Sequence, residues 1–349
     1  MSEKTNVSGP STGDRKSEHV RLCLEEEVAG VGVTTGFERY GFRHNALPEL
    51  DFEQIDLTTS FLGRSLKAPL LISSMTGGSV GTGRINERLA EAAQARGWAM
   101  GLGSVRAAVE REELAATFKV RHRAPDIPII ANLGAVQLNY GFGVEECRRA
   151  VDIAEADALV LHLNGLQEVF QPEGNTNFAE LLPKIERLCR ELGVPVGVKE
   201  VGWGIDGETA RRLADAGAAF IDSAGAGGTS WSQVEKYRSS DAMRRAAAEA
   251  FAGWGLGTAD SLIQIHAELP DMPLIGSGGL RSGVDAAKAI ALGAHLAGFG
   301  RALLGAAVDS ADRAESALEQ AEFELRTVMF GVGAGTVEQL RGTDRLQRR

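Results

Sequence analysis

From about residue 68 onward the chain alternates between two hydrophobic patterns. Short apolar runs stand at 68–75 (APLLISSM), 99–104 (AMGLGS), 128–135 (PIIANLGA), 158–164 (ALVLHLN), 195–201 (PVGVKEV), 219–225 (AFIDSAG), 273–279 (PLIGSGG) and 296–303 (LAGFGRAL). Between them apolar residues recur at three- and four-residue spacing, as in GRINERLAEAAQARG, VEECRRAVDIAEA, NFAELLPKIERLCREL, GETARRLADAG and SGVDAAKAIALG. The first pattern predicts strands and the second amphipathic helices. Strands alternating with helices predict parallel βαβ units. Eight such units over roughly 240 residues match a (β/α)8 TIM barrel, with a doubly wound open sheet as the alternative. Residues 1–14, rich in Ser, Thr, Gly and Lys, predict a disordered start. Residues 15–349 then form a single barrel domain whose first stretch, to about residue 67, is an N-terminal extension; Arg15 and Lys16 fall in its floppy beginning. The connection 226–272 is long and carries extra helical segments, and the tail after 305 reads as the eighth helix plus a charged end, RGTDRLQRR.

Side chains of a strand alternate faces. In ALVLHLN, Leu159, Leu161 and Leu163 share the face that suits the outer helices. Val160, His162 and Asn164 share the other, which points into the barrel. His162 and Asn164 then stand at the C-terminal mouth, where barrels of this kind carry their active sites. Other strand ends repeat the device with Ser104 (and Arg106 just beyond), Asn132, Lys199 on the face of Gly197, and Ser223. Polar residues at five strand ends predict one shared polar ligand site. The fourth run continues as LHLNGLQEVFQPEG, which crowds His162, Asn164, Gln167, Glu168, Gln171 and Glu173 into 161–174.

Composition narrows the ligand. Of 349 residues 44% are hydrophobic and 24% charged, an ordinary soluble globular mix. The net charge of −10 argues against a nucleic-acid partner without forbidding an anionic substrate in a local basic pocket. Cys23, Cys147 and Cys189 are odd in number and lack CxxC spacing, which predicts reduced thiols in a cytoplasmic protein. No long apolar run predicts a membrane span, and the polar start lacks a signal-peptide core. Two glycine clusters, GSGGLRSG (276–283) and GFGRALLG (298–305), follow the last two strands. Barrels bind phosphate with those loops, and Arg281 and Arg301 can neutralise it. GWGIDG (202–207) also fits GxGxxG, but Asp222 lies only fifteen residues beyond it, and one match among 43 glycines is weak.

Taken together, RKSEH (15–19), SSMTGG (73–78), GLGSVR (101–106), ANLGA (131–135), HLNGLQEVFQPEG (162–174), VGVKEVGWGI (196–205), DSAGAGGTSW (222–231) and GSGGLRSG (276–283) resemble the type 2 isopentenyl-diphosphate isomerases, a family of FMN-dependent barrels. The likeness runs from about residue 15 to residue 303. It implies conversion of isopentenyl to dimethylallyl diphosphate by a 1,3-allylic proton shift, with reduced FMN, Mg²⁺ and NAD(P)H as reductant. It implies that Met75, Thr76, Gly77, Ser104 and Asn132 meet the flavin, with Lys199 at its pyrimidine end. Ser223, Thr229, Gly279, Leu280, Arg281, Gly300 and Arg301 would hold the ribityl phosphate. Arg15, Lys16, His19, His162 and Asn164 would bind the diphosphate, Glu168 the Mg²⁺, and Gln167 would lie beside the allylic carbons. Gln167 and His162 are the candidate catalytic groups. The resemblance also implies a homo-oligomer, tetramer or octamer, with no nucleic-acid or membrane partner. The chain departs from the family pattern at Gly165, commonly proline, at Asn175, commonly aspartate, and in GFGRALL, a less usual last flavin loop. Three rivals remain. An FMN-dependent 2-hydroxy-acid oxidase needs a histidine base after the sixth strand, where SAGAGGT has none. A class I aldolase using Lys199 as a Schiff base gives HLNxxQE no task. A non-catalytic flavin or phosphate sensor lacks an output module.

Overall fold

The structure is a computed structural model that describes residues 12–349. Residues 1–11, most of the stretch expected to be disordered, lie outside the described residues. Where the description begins the chain is already helical. Helix α1 (Thr12–Glu25) carries Arg15 and Lys16, so these two stand on a regular element and not on a loose strand of chain. The extension continues through β1 (Tyr40–Phe42) and a hairpin of β2 (Thr59–Phe61) and β3 (Arg64–Leu66).

All eight expected strands are present: β4 (Leu70–Ile72), β5 (Ala99–Gly101), β6 (Ile129–Gly134), β7 (Ala158–His162), β8 (Val196–Lys199), β9 (Phe220–Asp222), β10 (Leu274–Ser277) and β11 (Leu296–Phe299). They pair in parallel and in chain order, with β11 returning to β4, and so close a barrel. Each strand is shorter than its apolar run, because the last residues of the run have turned out into the polar loop. Leu159 and Leu161 pack toward the helices, while Val160 lies in the interior with Leu71, Ile130, Phe220, Ile275 and Leu296. Phe61 and Leu66 of the hairpin plug the N-terminal end of this interior, and the Phe61 ring meets Phe220 edge-on at 5.5 Å. A Cβ on Gly197 would fall 2.2 Å from the Phe220 ring. Glycine in β8 is therefore the condition for a phenylalanine to fill the barrel centre.

Around the barrel run α2 (Val80–Arg96), the short α3 (Arg106–Glu110), α4 (Val144–Ala154), α5 (Gly165–Phe170), α6 (Leu181–Glu191) and α7 (Gly207–Asp215). The long connection after β9 holds α8 (Trp231–Arg238), α9 (Ala242–Ala250) and α10 (Thr258–Glu268), and α8 packs on α1, α5 and α9. After α11 (Gly283–Ala291) and β11 the tail is richer than one helix. It forms α12 (Arg301–Asp309), α13 (Ala311–Val332), α14 (Val337–Arg341) and β12 (Leu346–Arg348). Ser310 separates the first two by capping α13, its side chain accepting from the Arg313 N–H. Strand β12 pairs antiparallel with β1, Tyr40 opposite Arg348. That pairing joins segments some three hundred residues apart, which a local pattern cannot announce.

Register fixes the mouth. Gly134 pairs with His162, His162 with Lys199, and Lys199 with Asp222, so four neighbouring strands end in one layer.

Candidate functional site

A cavity of about 630 Å³ opens on that layer. Helix α1 closes one side with Arg15, Lys16 and His19, and Trp231 of α8 stands edge-on to the His19 ring at 5.1 Å. Met75, Thr76, Ser104, Asn132, His162, Asn164, Gln167, Glu168 and Lys199 all line it, as the sequence led one to expect. So do Thr229, Gly279, Leu280, Arg281, Gly300 and Arg301 on the glycine-rich side. Two expected residues do not. Ser223 is fully buried away from the cavity; its hydroxyl donates to the Ser277 carbonyl at 3.2 Å and accepts from the Ser277 N–H at 3.3 Å. In β9 the inward residues are Phe220 and Asp222, so Ser223 has the wrong parity. Gly77 is absent from the wall as well. It has φ +146°, and a Cβ there would strike the Phe118 ring at 2.2 Å, so glycine serves packing at this position.

The imidazole of His162 is held from behind. Its Nδ1 bonds the Asn132 side-chain oxygen at 2.7 Å. An amide oxygen only accepts, so the ring proton is on Nδ1 and Nε2 is bare. Burial, with Lys199 and Lys16 nearby, pushes the His162 pKa down to about 3, so the ring is neutral at ordinary pH. Burial and the adjacent Arg15 bring Lys16 down to about 7. Lys199 is also lowered by burial, against the opposing pull of Asp222 and Glu200. Burial raises Glu200 to about 7 although its Oε2 accepts the N–H groups of Val201, Gly202 and Trp203 at 2.7, 2.9 and 2.6 Å.

Asn164 precedes α5, and one helical turn later come Gln167 and Glu168 on the same face. Asn164 Nδ2 donates to Glu168 Oε1 at 2.8 Å, and the Asn175 N–H donates to Oε2 at 2.5 Å. The turn that brings Asn175 back needs Gly174, whose Cβ would overlap the Glu168 carbonyl at 1.8 Å. Asn175 is itself held by Arg106 and Gln137 at 3.1 and 3.2 Å. Gln167 Nε2 donates to Glu235 Oε1 at 3.3 Å, His19 Nε2 to the same oxygen at 3.1 Å, and Arg238 to Oε2 at 2.5 Å. Burial would raise Glu235, but His19 and Arg238 outweigh it, and the carboxylate stays ionised.

On the opposite wall backbone approaches backbone. A Cβ on Gly228 would lie 2.6 Å from the Gly279 nitrogen, and Gly278 and Gly279 take φ +106° and +75°. Only glycine permits both. The N-termini of α11 and α12 follow these loops. The Arg301 guanidinium, expected to meet phosphate, is partly engaged elsewhere: Nε donates to the Cys23 carbonyl at 2.8 Å and NH2 to that of Glu26 at 3.3 Å, at the end of α1.

Ser73 Oγ, Thr76 Oγ1, Gln137 Oε1 and Asn164 Oδ1 line this cavity, are buried and have no partner. A polar atom left so costs about 1–3 kcal/mol, and four around one hollow mark it as built for a polar ligand. Sequence reasoning missed Asp222, Glu200, Gln137 and Glu235. Asp222 was within reach, since the alternation rule applied from Phe220 gives it. Glu235 sits in the long connection, where no local signal points to it.

A closed parallel barrel with glycine-lined loops after its last strands and a polar mouth is the arrangement in which (β/α)8 enzymes often bind phosphate. Comparison refines this. The family model for FMN-dependent dehydrogenases matches residues 14–127 and 163–347. The chain is 56% identical over 332 residues to an isopentenyl-diphosphate delta-isomerase of Oceanobacillus iheyensis, covering 95% of each. It is 50% identical over 348 residues to one of Nostoc sp., covering 100% of this chain and 99% of the relative. Among solved structures, a mandelate oxidase variant superposes with a TM-score of 0.63 at 22% identity, covering 98% of this chain and 93% of that one. A lactate oxidase of Pediococcus acidilactici gives 0.65 at 20%, covering 95% and 94%. These two agree with the fold alone. The chain belongs to the FMN-dependent dehydrogenase family and, within it, to the isopentenyl-diphosphate delta-isomerases.

Proposed function

We propose that this protein isomerises isopentenyl diphosphate to dimethylallyl diphosphate in one cavity that holds FMN, Mg²⁺ and substrate. The observation that carries the reading is the meeting, across a single 630 Å³ hollow, of the glycine cradle with the His162–Asn164–Gln167–Glu168 cluster. The residues fit a flavin phosphate: Gly228, Gly278 and Gly279 leave no room for a Cβ, and the partnerless Ser73 and Thr76 hydroxyls await polar contacts. They also fit Mg²⁺ held by one carboxylate. Among the described residues no group of three or more His, Cys, Asp or Glu could hold a metal, so Glu168 needs the substrate's phosphate oxygens to complete a shell.

Bound reduced FMN supplies an electron-rich ring face beside which positive charge at a tertiary carbon is stabilised. The chain does the rest. Met75, Thr76, Ser104 and Asn132 would line the ring, and Lys199 would supply a cation at its pyrimidine end. Thr229, Gly279, Leu280, Arg281, Gly300 and Arg301 would surround the phosphate. Arg15, Lys16, His19 and Asn164 bind the diphosphate and, with α1, exclude water from the carbon skeleton. His162, bare at Nε2, takes up a proton when the diphosphate anion arrives and then donates to it. Gln167, pinned by Glu235, orients the allylic carbon skeleton at which protons are gained and lost. NAD(P)H charges the cofactor, and copies of the chain assemble as a tetramer or octamer, which light scattering tests. Among the described residues no helix is long and apolar enough to cross a membrane; a cytoplasmic site of action belongs to the same reading.

The 2-hydroxy-acid oxidase alternative needs a histidine base after the sixth barrel strand, whereas the histidines on the cavity wall, His19 and His162, stand on α1 and at the end of β7, the fourth barrel strand. The deciding experiment is an absorption spectrum of the purified protein followed by turnover assays. Flavin bands, with isopentenyl diphosphate consumed only after reduction and with Mg²⁺, are expected. A flavoprotein bleached by glycolate or lactate and inert toward the diphosphate would overturn the reading.

A further inference from the structure

Below the rim lies a charge that the scheme above does not use. Asp222 ends β9 pointing into the barrel, 3% exposed, and stands opposite Lys199 in the β8–β9 register. Its Oδ1 accepts the Ser277 hydroxyl at 2.6 Å and the Ala224 N–H at 3.3 Å. Ala224 takes φ +36°, so the bond forms at a sharp turn that fixes the carboxylate from a second side. Asp222 and Lys199 face the same small void, about 10 Å³, with Ser74 and with apolar walls that include Ile130, Val160 and Phe220. In such surroundings a lone ammonium sheds its proton and a lone carboxylate acquires one: burial lowers Lys199 and raises Asp222, and the charge of each opposes the shift of the other.

The other groups around Lys199 do not replace this one. His162 on β7 is neutral, and Lys16, above the cavity on α1, carries the same sign. Glu200 offers Lys199 its backbone carbonyl, while its carboxylate is committed to the N–H groups of residues 201–203. We propose that Asp222 is a positioning residue for Lys199: its carboxylate, aimed by Ser277 and Ala224, is the counter-charge that keeps the Lys199 ammonium protonated at the cavity floor. Its catalytic meaning, a cation facing the electron-rich pyrimidine, rests on the flavin reading; the charge relation does not.

The test therefore starts on protein freed of cofactor. Trace acylation with acetic anhydride from about pH 6 to about pH 11, followed by mass spectrometry of the Lys199 peptide, gives the titration midpoint of that amine. Asp222→Asn keeps the shape and removes the charge. Its midpoint is expected to fall by about one pH unit or more, a roughly tenfold faster acylation at any pH below it. Glu200→Gln is expected to move the midpoint less. An unchanged midpoint in Asp222→Asn, or a larger shift in Glu200→Gln, overturns the proposal. Should circular dichroism show Asp222→Asn unfolded, Ser277→Ala decides: it withdraws the bond that stabilises the carboxylate, so a lowered midpoint supports the proposal and an unchanged one overturns it. With FMN restored, Asp222→Asn should also give the flavin a more negative reduction potential. Failure of the parent protein to bind FMN would sink the flavin reading while leaving the lysine titration to be judged on its own.

Discussion

Replacing Glu235 by glutamine changes one atom and cannot be absorbed. Both carboxylate oxygens already accept hydrogen bonds, Oε1 from His19 and Gln167 and Oε2 from Arg238. The NH2 of a glutamine must therefore face a donor whichever way the amide turns. Turned toward Arg238 it loses least, because Arg238 keeps Glu18 and Glu173 at 3.1 and 3.3 Å. Even so, His19 and Gln167 exchange a charged acceptor for a neutral one. A hydrogen bond to a charged group contributes about 1.5–3 kcal/mol. A neutral acceptor still contributes about 0.5–1.5 kcal/mol, so if Gln167 acts only when anchored, the difference of about 1–1.5 kcal/mol is about a fivefold to tenfold fall in kcat. The assay is steady-state conversion of isopentenyl diphosphate by reduced enzyme with Mg²⁺, with thermal unfolding run in parallel. Glu235→Leu should be worse in both, since it leaves Arg238 facing hydrocarbon. A Glu235→Gln protein within twofold of the parent in kcat would refute the argument that this anchor matters.

Gly197→Ala should lower stability by about 1–3 kcal/mol by overpacking against Phe220, read as a drop in Tm without loss of the barrel's circular dichroism. Because Lys16 titrates near 7 in the free protein, diphosphate affinity should be level below that pH and weaken above it; calorimetry against inorganic diphosphate checks this, and Lys16→Arg should remove the decline. His162 has a folded pKa of about 3 against an ordinary 6.5, so the folded state binds fewer protons in that window. Stability should therefore fall as pH drops from about 6.5 toward 3, and His162→Gln should flatten the slope in urea titrations.

What could be read in advance follows from range. The eight strands announce themselves because a strand walled by helices must be apolar on both faces, and Leu159 and Val160 satisfy this within five residues. The polar mouth was legible for the same reason, since His162 and Lys199 interrupt apolar runs on the inward parity. Ser223 stands one step out of that parity and off the cavity wall, while Asp222 beside it takes the inward position. Helix α1 was read as loose because its residues are mostly polar; its order comes from partners on α8 and after α5, more than a hundred residues away. Glu235 and strand β12 were hidden likewise, their meaning lying in contacts that only the folded chain creates. The sequence motifs of 162–174 carried the identity of the site, whereas its electrostatics needed the register of β7, β8 and β9.

The two parts of this molecule answer differently to the medium around it. Hydrocarbon and backbone ladders bind the barrel, and charge screening weakens neither. Helix α1 is anchored by buried Leu22 and Cys23 and by His19 on Glu235, but its outer face is also moored by Arg15 to Glu173 and by Glu18 to Arg238, whose carboxylates are 44% and 39% exposed. At physiological ionic strength the Debye length is about 8 Å and it shrinks to about 3 Å in molar salt. Rising electrolyte therefore slackens this mooring while the cylinder beneath stays rigid, so that osmotic stress would be felt first as leakage at the doorway.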